Sequence, residues 1–316
     1  MKKVLISGGA GFIGKYLCQE FLKDGFEVVC VDNFLTSERK DLEVLLENKN
    51  FKLIERDVTE IEEKDLNDNF EYVLHFASPA SPVDYSKYPV ETLRVNSIGT
   101  ENLLKIALER KSIFLFASTS EVYGDPQIPV QNEEYWGNVN PIGLRSVYDE
   151  GKRYGEAITM AYFRKYKVNT RIARIFNTYG PGMRIDDGRV IPNFLSQVIE
   201  GKPLTIYGDG TQTRSFCYIE DLVRGIKKLL EADYHFPINL GNPEEFTILQ
   251  LAEKIKEIIG RKIEIVFKPL PPDDPKRRKP DITKAREILR WEPVVSLEEG
   301  LRKTIPYFEE KLKGKK

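Results

Sequence analysis

A chain of 316 residues with 41% hydrophobic content is long enough to bury a substantial core, as one large domain or two. Its 48 Lys and Arg against 49 Asp and Glu leave a net charge of −1, which argues against a general nucleic-acid or membrane-surface binder. Three cysteines without C-x-x-C spacing (Cys18, Cys30, Cys217) and only two histidines (His75, His235) argue against a disulfide frame, a metal centre or a Ser-His-Asp triad.

The sequence opens directly on a strand pattern, Lys3 to Ser7, and no apolar run approaches membrane-spanning length. A cytoplasmic protein with no membrane segment is therefore expected. Further strands are expected over 27–31, 51–54, 71–76, 113–118 and 170–176, after the first over 3–7. Helices are expected over 12–24, 38–48, 90–110 and 148–167. Short apolar strands alternating with helices argue for an α/β fold in which a parallel sheet is covered on both faces. Beyond residue 176 the pattern changes. Gly and Pro punctuate Gly180-Pro181-Gly182, Gly201-Lys202-Pro203 and Gly208-Asp209-Gly210, with shorter helices expected at about 190–200, 219–232, 247–260 and 296–312. This reads as a smaller C-terminal part carrying loops over the first. The segment from Pro269 to Pro275 holds four prolines in seven residues and reads as a surface loop leading into the basic run Lys276 to Lys279.

Gly8-Gly9-Ala10-Gly11-Phe12-Ile13-Gly14 follows the first strand and opens the first helix. Gly8, Gly11 and Gly14 suit a tight turn, close approach of backbone to a pyrophosphate, and close helix–strand packing; free N–H groups of the helix then face the phosphates. Asp32 closes the second strand, where a carboxylate accepts from ribose hydroxyls and repels a 2′-phosphate, favouring NAD over NADP. The expected fold is a Rossmann-type doubly wound parallel sheet with a smaller C-terminal substrate-binding domain. Cofactor contacts are expected from Phe12 and Ile13 in the turn, from Asn33, Phe34 and Thr36 after Asp32, and from Phe76, Ala77 and Ser78 after the fourth strand. Ala117 is expected to contribute from the fifth. Asp57-Val58, after the third strand, either reaches the adenine or forms a turn. His75 reads as a packed core histidine rather than a catalyst. Asn96 lies either near the active site or on a solvated face.

Tyr148 and Lys152 stand four apart in a helical run and share a face. An ammonium beside a phenol favours the phenolate, giving a base able to take a proton from a sugar hydroxyl. The same spacing also occurs on ordinary surface helices.

Further stretches carry a resemblance over nearly the whole chain. They are Ala77-Ser78-Pro79-Ala80-Ser81-Pro82, Ser118-Thr119-Ser120-Glu121-Val122-Tyr123-Gly124, Tyr135-Trp136-Gly137-Asn138-Val139-Asn140-Pro141-Ile142-Gly143, Tyr148-Asp149-Glu150-Gly151-Lys152-Arg153, Arg174-Ile175-Phe176-Asn177 and Arg278-Lys279-Pro280-Asp281. With the Gly-rich turn they resemble the extended short-chain dehydrogenase/reductases that act on nucleotide sugars, and within them the UDP-glucuronate decarboxylase (UDP-xylose synthase) branch. The resemblance implies tightly bound NAD and a redox-neutral cycle. C4 of UDP-glucuronate is oxidised, the 4-keto intermediate loses CO2, and the bound NADH reduces C4 again to give UDP-xylose.

By the same resemblance Tyr148 is the base at C4, Lys152 holds the nicotinamide ribose, Thr119 hydrogen-bonds the C4 oxygen, and Glu121 sits near C5. Asn177 and Arg214 bind the diphosphate with Arg278 nearby, and Tyr207 lies against the uracil. Pro79, Ala80, Ser81 and Pro82 lie beside the sugar, with Tyr85 and Arg94 as candidates for the uronate; Arg184 and Arg189 are further polar candidates. Related 4,6-dehydratases carry Asp-Glu after the Thr, where this chain has Ser120-Glu121, and simple 4-epimerases usually lack an acid at the second place. The implied division is 1–176 with about 209–241 for NAD, and 177–208 with 242–316 for the nucleotide sugar. A homodimer built on a four-helix bundle is implied as well.

Overall fold

The computed structural model describes residues 1–66, 68–269 and 277–314. Most of the expected proline loop and Lys276 fall outside the described residues.

The first part builds one sheet. Its strands are Lys3–Ser7 (β1), Glu27–Asp32 (β2), Phe51–Glu55 (β3), Tyr72–His75 (β4), Ile113–Thr119 (β5) and Thr170–Ile175 (β6). They alternate with Phe12–Lys23 (α1), the short Glu43–Leu46 (α2), Pro82–Lys87 (α3), Pro89–Arg94 (α4), Thr100–Arg110 (α5) and Ser146–Tyr166 (α6). The second part contributes strands Thr178–Tyr179 (β7), Leu204–Tyr207 (β8), Thr213–Ser215 (β9), Cys217–Tyr218 (β10), Pro237–Leu240 (β11), Glu245–Thr247 (β12), Ile265–Lys268 (β13) and Arg277–Arg278 (β14). Its helices are Val190–Glu200 (α7), Ile219–Glu231 (α8), Ile248–Ile259 (α9), Thr283–Leu289 (α10) and Leu297–Lys313 (α11).

The central sheet has seven strands in the order β11-β6-β5-β4-β1-β2-β3, with every neighbouring pair parallel. This is the doubly wound Rossmann arrangement. Chain order reverses between β1 and β4, which opens a crevice at their carboxyl ends where such sheets bind ligands. Strand alternation sorts the core onto two faces. Val4, Ile6, Val28 and Cys30 pack with α1 and α8 on one side; Leu5, Val29, Phe114 and Phe116 pack with α5 on the other. The seventh strand, β11, is a finding beyond the six expected from sequence.

Two expected helices depart from regular α geometry. The run at 38–48 is a 3-10 turn at Arg39–Leu42 followed by the single turn of α2. The run at 90–110 is continuous but widens to a π turn at Val95–Gly99 between α4 and α5. The cause is local: Asn96 Nδ2 donates to Thr92 O at 2.8 Å and to Ser78 Oγ at 2.9 Å, while the Thr100 hydroxyl donates to Asn96 O at 2.8 Å. Side chains that bond into the helix ladder displace its regular pairing.

Outside the sheet, β9 lies between β12 and β14, β7 pairs with β10, and β8 with β13. Trp291, 1% exposed, donates its indole N–H to Asp221 O on α8 at 2.9 Å and so ties the later chain onto the sheet layer.

Candidate active site

The chain leaves β1 through Gly8, at φ +74°. A Cβ there would lie 2.5 Å from Ala77 N, and one at Gly14 would lie 2.1 Å from Gly8 O. The turn therefore requires glycine twice over, for its backbone and for close approach. Gly11 is the N-cap of α1 and no side chain caps that end, leaving its first N–H groups for an anion. At the end of β2, Asp32 accepts from the N–H groups of Ala10 and Phe34, both at 2.9 Å, and from the Ser37 hydroxyl at 3.1 Å. Burial pushes its carboxyl up and those three bonds pull it down, with a net rise. Asp57 accepts from the Thr59 N–H and from Asn33 Nδ2 at 2.9 Å, so it does form the turn while holding the loop after β2. Val58 is buried against the π turn. Phe76, Ala77 and Ser78 follow β4 at the same edge, and Thr36 O accepts from Arg184 Nη1 at 2.6 Å. A glycine cradle with no room for Cβ, an uncapped helix end and a carboxylate at the next strand's tip fit NAD.

Helix α6 brings Tyr148 and Lys152 to the other side of the crevice. Gly155 lets it do so: a Cβ there would lie 2.1 Å from the Phe116 ring on β5. Lys152 Nζ donates to Ala117 O at 2.9 Å and stands 5.7 Å from the Tyr148 ring centroid. The Thr119 hydroxyl at the end of β5 lies near the Tyr148 phenol and favours its ionised form. The Tyr85 ring of α3 stacks on Tyr148 at 5.4 Å and 12°, and its own buried hydroxyl has no partner among the described residues.

Burial pushes the Tyr148 phenol well above its usual value; the Thr119 hydroxyl pulls the other way but does not win. Burial also drives Lys152 towards its neutral form, down to about 7. The sequence suggested an ammonium drawing the phenol down. In the folded protein burial governs both groups instead, because the pair lies under Tyr85 and against Phe116 rather than on an open helix face.

Beyond Thr119 the chain makes a 3-10 turn, Ser120–Tyr123, capped by Thr119 Oγ accepting from the Glu121 N–H at 3.2 Å. Glu121 is clamped by Arg145 Nη2 at 2.5 Å and Arg278 Nη2 at 2.7 Å. Burial alone would raise its carboxyl, but the Arg278 and Arg145 guanidiniums outweigh that and hold it well below the usual range. Arg278, 1% exposed, also donates to Ser120 O. Its two terminal nitrogens bond the Glu121 turn, while its buried Nε has no hydrogen-bond partner among the described residues. Arg214 is its cross-strand partner on β9 and adds positive charge close to Glu121.

The remaining expected residues are placed as follows. Ser81 caps α3, accepting from the Asp84 N–H at 3.1 Å, with Pro82 in the first helical turn; Ser78 Oγ donates to Pro79 O at 3.2 Å, and Ala80 is exposed between them. Arg189 pairs bidentately with Asp187 and bears on the Tyr148 phenol. Arg184 pairs with Asp84 at 2.9 Å. Asn177 is half-buried and its carbonyl accepts from Cys217 N–H at 2.8 Å. Tyr207 is 42% exposed at the end of β8, and Arg94 is exposed on α4. His75 is a core residue, with Nδ1 2.8 Å from the Ser7 hydroxyl and Nε2 3.2 Å from Val95 O. Sequence reasoning missed Arg145 and Asp149. Their signal was faint: an Arg three residues before the Tyr, and an acid in a first helical turn that an exposed helix would carry equally well.

A parallel Rossmann sheet with a Gly-rich turn and a buried Tyr/Lys pair beside a Thr defines an NAD-dependent enzyme of the short-chain dehydrogenase/reductase type. The family model for the NAD dependent epimerase/dehydratase family matches residues 4–241. The chain belongs to that family. It is 50% identical, over 98% of its length and 73% of the relative's, to UDP-glucuronic acid decarboxylase 1 of Danio rerio. It is 51% identical to UDP-glucuronic acid decarboxylase 5 of Arabidopsis thaliana, over 95% of this chain and 87% of that one. Its fold is similar to UDP-glucuronic acid 4-epimerase from Bacillus cereus in complex with UDP-glucuronic acid and NAD. The TM-score is 0.87 at 32% identity, covering 98% of this chain and 99% of that one.

Proposed function

We propose that the chain converts UDP-glucuronate to UDP-xylose and CO2. The observation that carries this is the Thr119-Ser120-Glu121 turn, in a chain half identical to UDP-glucuronic acid decarboxylases. A single carboxylate follows Thr119, held ionised by two arginines, and no acid stands at 120 to protonate a leaving hydroxyl. NAD, bound at the glycine turn, supplies the hydride acceptor and donor at C4, so that the C6 carboxylate stands β to a carbonyl and leaves as CO2. Tyr148 and Thr119 hold the C4 oxygen; the phenol exchanges a proton with it, and both hydroxyls stabilise negative charge on it. Lys152, fixed on Ala117 O, positions the cofactor beside Tyr148. Tyr85, Arg189 and the loop Pro79 to Pro82 line the sugar, with Arg94 at its outer edge. Asn177, Arg184, Tyr207 and Arg214 serve the nucleotide, and Arg278 orients Glu121 near C5.

In this reading residues 1–176 with about 209–241 hold NAD, and 177–208 with 242–316 hold the nucleotide sugar. Val90 and Leu93 on α4, Leu108 on α5 and Tyr154 on α6 are exposed, which supports a homodimer through these helices. A cytoplasmic location suits the three buried free thiols. Incubation with UDP-glucuronate tests the function: CO2 and UDP-xylose are expected. Formation of UDP-galacturonate without CO2 would overturn it in favour of 4-epimerisation, the activity named for structures at about a third identity.

A further inference from the structure

Loss of CO2 from a carboxylate takes up one proton per turnover, because C5 gains a hydrogen where C6 was attached. Tyr148 is not a net source, since the proton it takes from the C4 hydroxyl returns to the C4 oxygen when the cycle closes. Glu121 is not a source either while two guanidiniums keep it ionised. A third acid adjoins them. Asp149 follows Tyr148 on α6, is 5% exposed, and has a buried Oδ1 with no hydrogen-bond partner among the described residues. It lines a cavity of about 250 Å³ together with Arg145, Arg278, Asn138, Asn140 and Asp125. A polar space of that size holds several waters. An unpartnered buried carboxylate is costly as an anion. Burial and then the Glu121 charge push its carboxyl up to about 7, against the pull of Arg145 and Arg278, with Glu150 on its own helix adding to the rise. Asp125 lines the same cavity, and the Asp149 charge acts on the Tyr85 phenol of α3.

We propose that Asp149 is the proton-relay residue of the reaction, drawing a proton from water in this cavity and passing it through water beside Glu121 to C5 after CO2 has left. In that step the carboxyl O–H bond breaks and the C5–H bond forms. The electron pair comes from the C4–C5 enolate, whose oxygen becomes a carbonyl again. Asp149 is left ionised and reloads from the cavity. The inference rests on the decarboxylase reading, so wild-type holoenzyme is assayed first: absence of CO2 from UDP-glucuronate would sink that reading by itself.

With CO2 release established, turnover is run in D2O and the label at C5 is read by NMR. Wild type is expected to place deuterium at one C5 position, with UDP-xylose formation falling about tenfold per pH unit above about 7. Asp149→Asn is expected to release CO2 yet form UDP-xylose at least about 30-fold more slowly. It should also label both C5 positions, release UDP-4-keto-pentose, and show no such pH limb. Asp149→Glu is expected to restore single-position labelling. An Asp149→Asn enzyme with wild-type labelling and pH profile overturns the proposal. So does one in which CO2 release and C5 protonation fall in equal proportion. If Asp149→Asn does not fold, the wild-type profile and Asp149→Glu decide, and a wild-type rate flat from pH 6 to 9 overturns it.

Discussion

Tyr148 illustrates how burial decides chemistry at the scale of one residue. Tyr148→Phe removes the hydroxyl and leaves the ring stack on Tyr85, so fold and NAD content should persist while turnover falls by roughly 10² to 10⁴; unchanged turnover would dismiss the base. Lys152 makes a stability prediction. Its folded value is about 7 against an unfolded value near 10.5, so the unfolded chain binds the extra proton between these pH values. Stability therefore rises with pH across that window, and the penalty is fully present below about 7. Lys152→Met should raise the Tm at pH 6, with a smaller gain at pH 10, while abolishing turnover; thermal unfolding at both pH values checks this. Glu121→Gln leaves two guanidiniums around a neutral group and should cost roughly 3 to 5 kcal/mol, read by denaturant unfolding. The Tyr/Lys spacing was legible in the sequence. Their protonation was not, because it depends on Phe116, Tyr85 and Thr119, which are brought to the pair by two other elements, β5 and α3.

At the scale of elements, glycines set the spacing. Gly14→Ala would put a Cβ 2.1 Å from Gly8 O, moving α1 off β1. Purified variant should carry little NAD, its affinity falling at least about tenfold, seen as a lowered 260 nm to 280 nm absorbance ratio. Six sheet strands and most helices were legible because continuous apolar runs and a 3.6-residue period mark them strongly. The seventh strand, Pro237–Leu240, is four residues long and begins with Pro, too short for its period to speak. The 38–48 segment has helical composition, yet it packs as a 3-10 turn and one α turn because Leu42 and Leu45 are its only buried apolar anchors. The π turn followed from hydrogen bonds of Asn96 to a loop 18 residues earlier, which no local pattern announces.

The whole molecule responds to acid through groups far from solvent. His75 is neutral in the core, with a folded value near 3 caused by burial and then by Lys152. The unfolded chain takes up that proton near 6.5, so the stability it preserves is present above pH 6.5 and lost as pH falls towards 3. His75→Gln should flatten the loss of Tm between pH 6.5 and 4 relative to wild type. At this scale the sequence carried the fold class and the nucleotide turn, but not the assembly of Glu121. That residue's partners, Arg145 and Arg278, are 24 and 157 positions away. A basic run with no periodicity gives no sign that one of its members is buried.

The 157-residue span between Glu121 and Arg278 also orders events in time. On a ribosome adding about 5 to 20 residues per second, Arg278 appears roughly 8 to 30 s after Glu121. The glycine turn, Thr119, Tyr148 and Lys152 have all emerged by then. For that interval the nascent chain holds them together with one arginine of the Glu121 clamp, Arg145, but not the second. Glu121 therefore waits, held by one guanidinium, until nearly nine-tenths of the chain has been made.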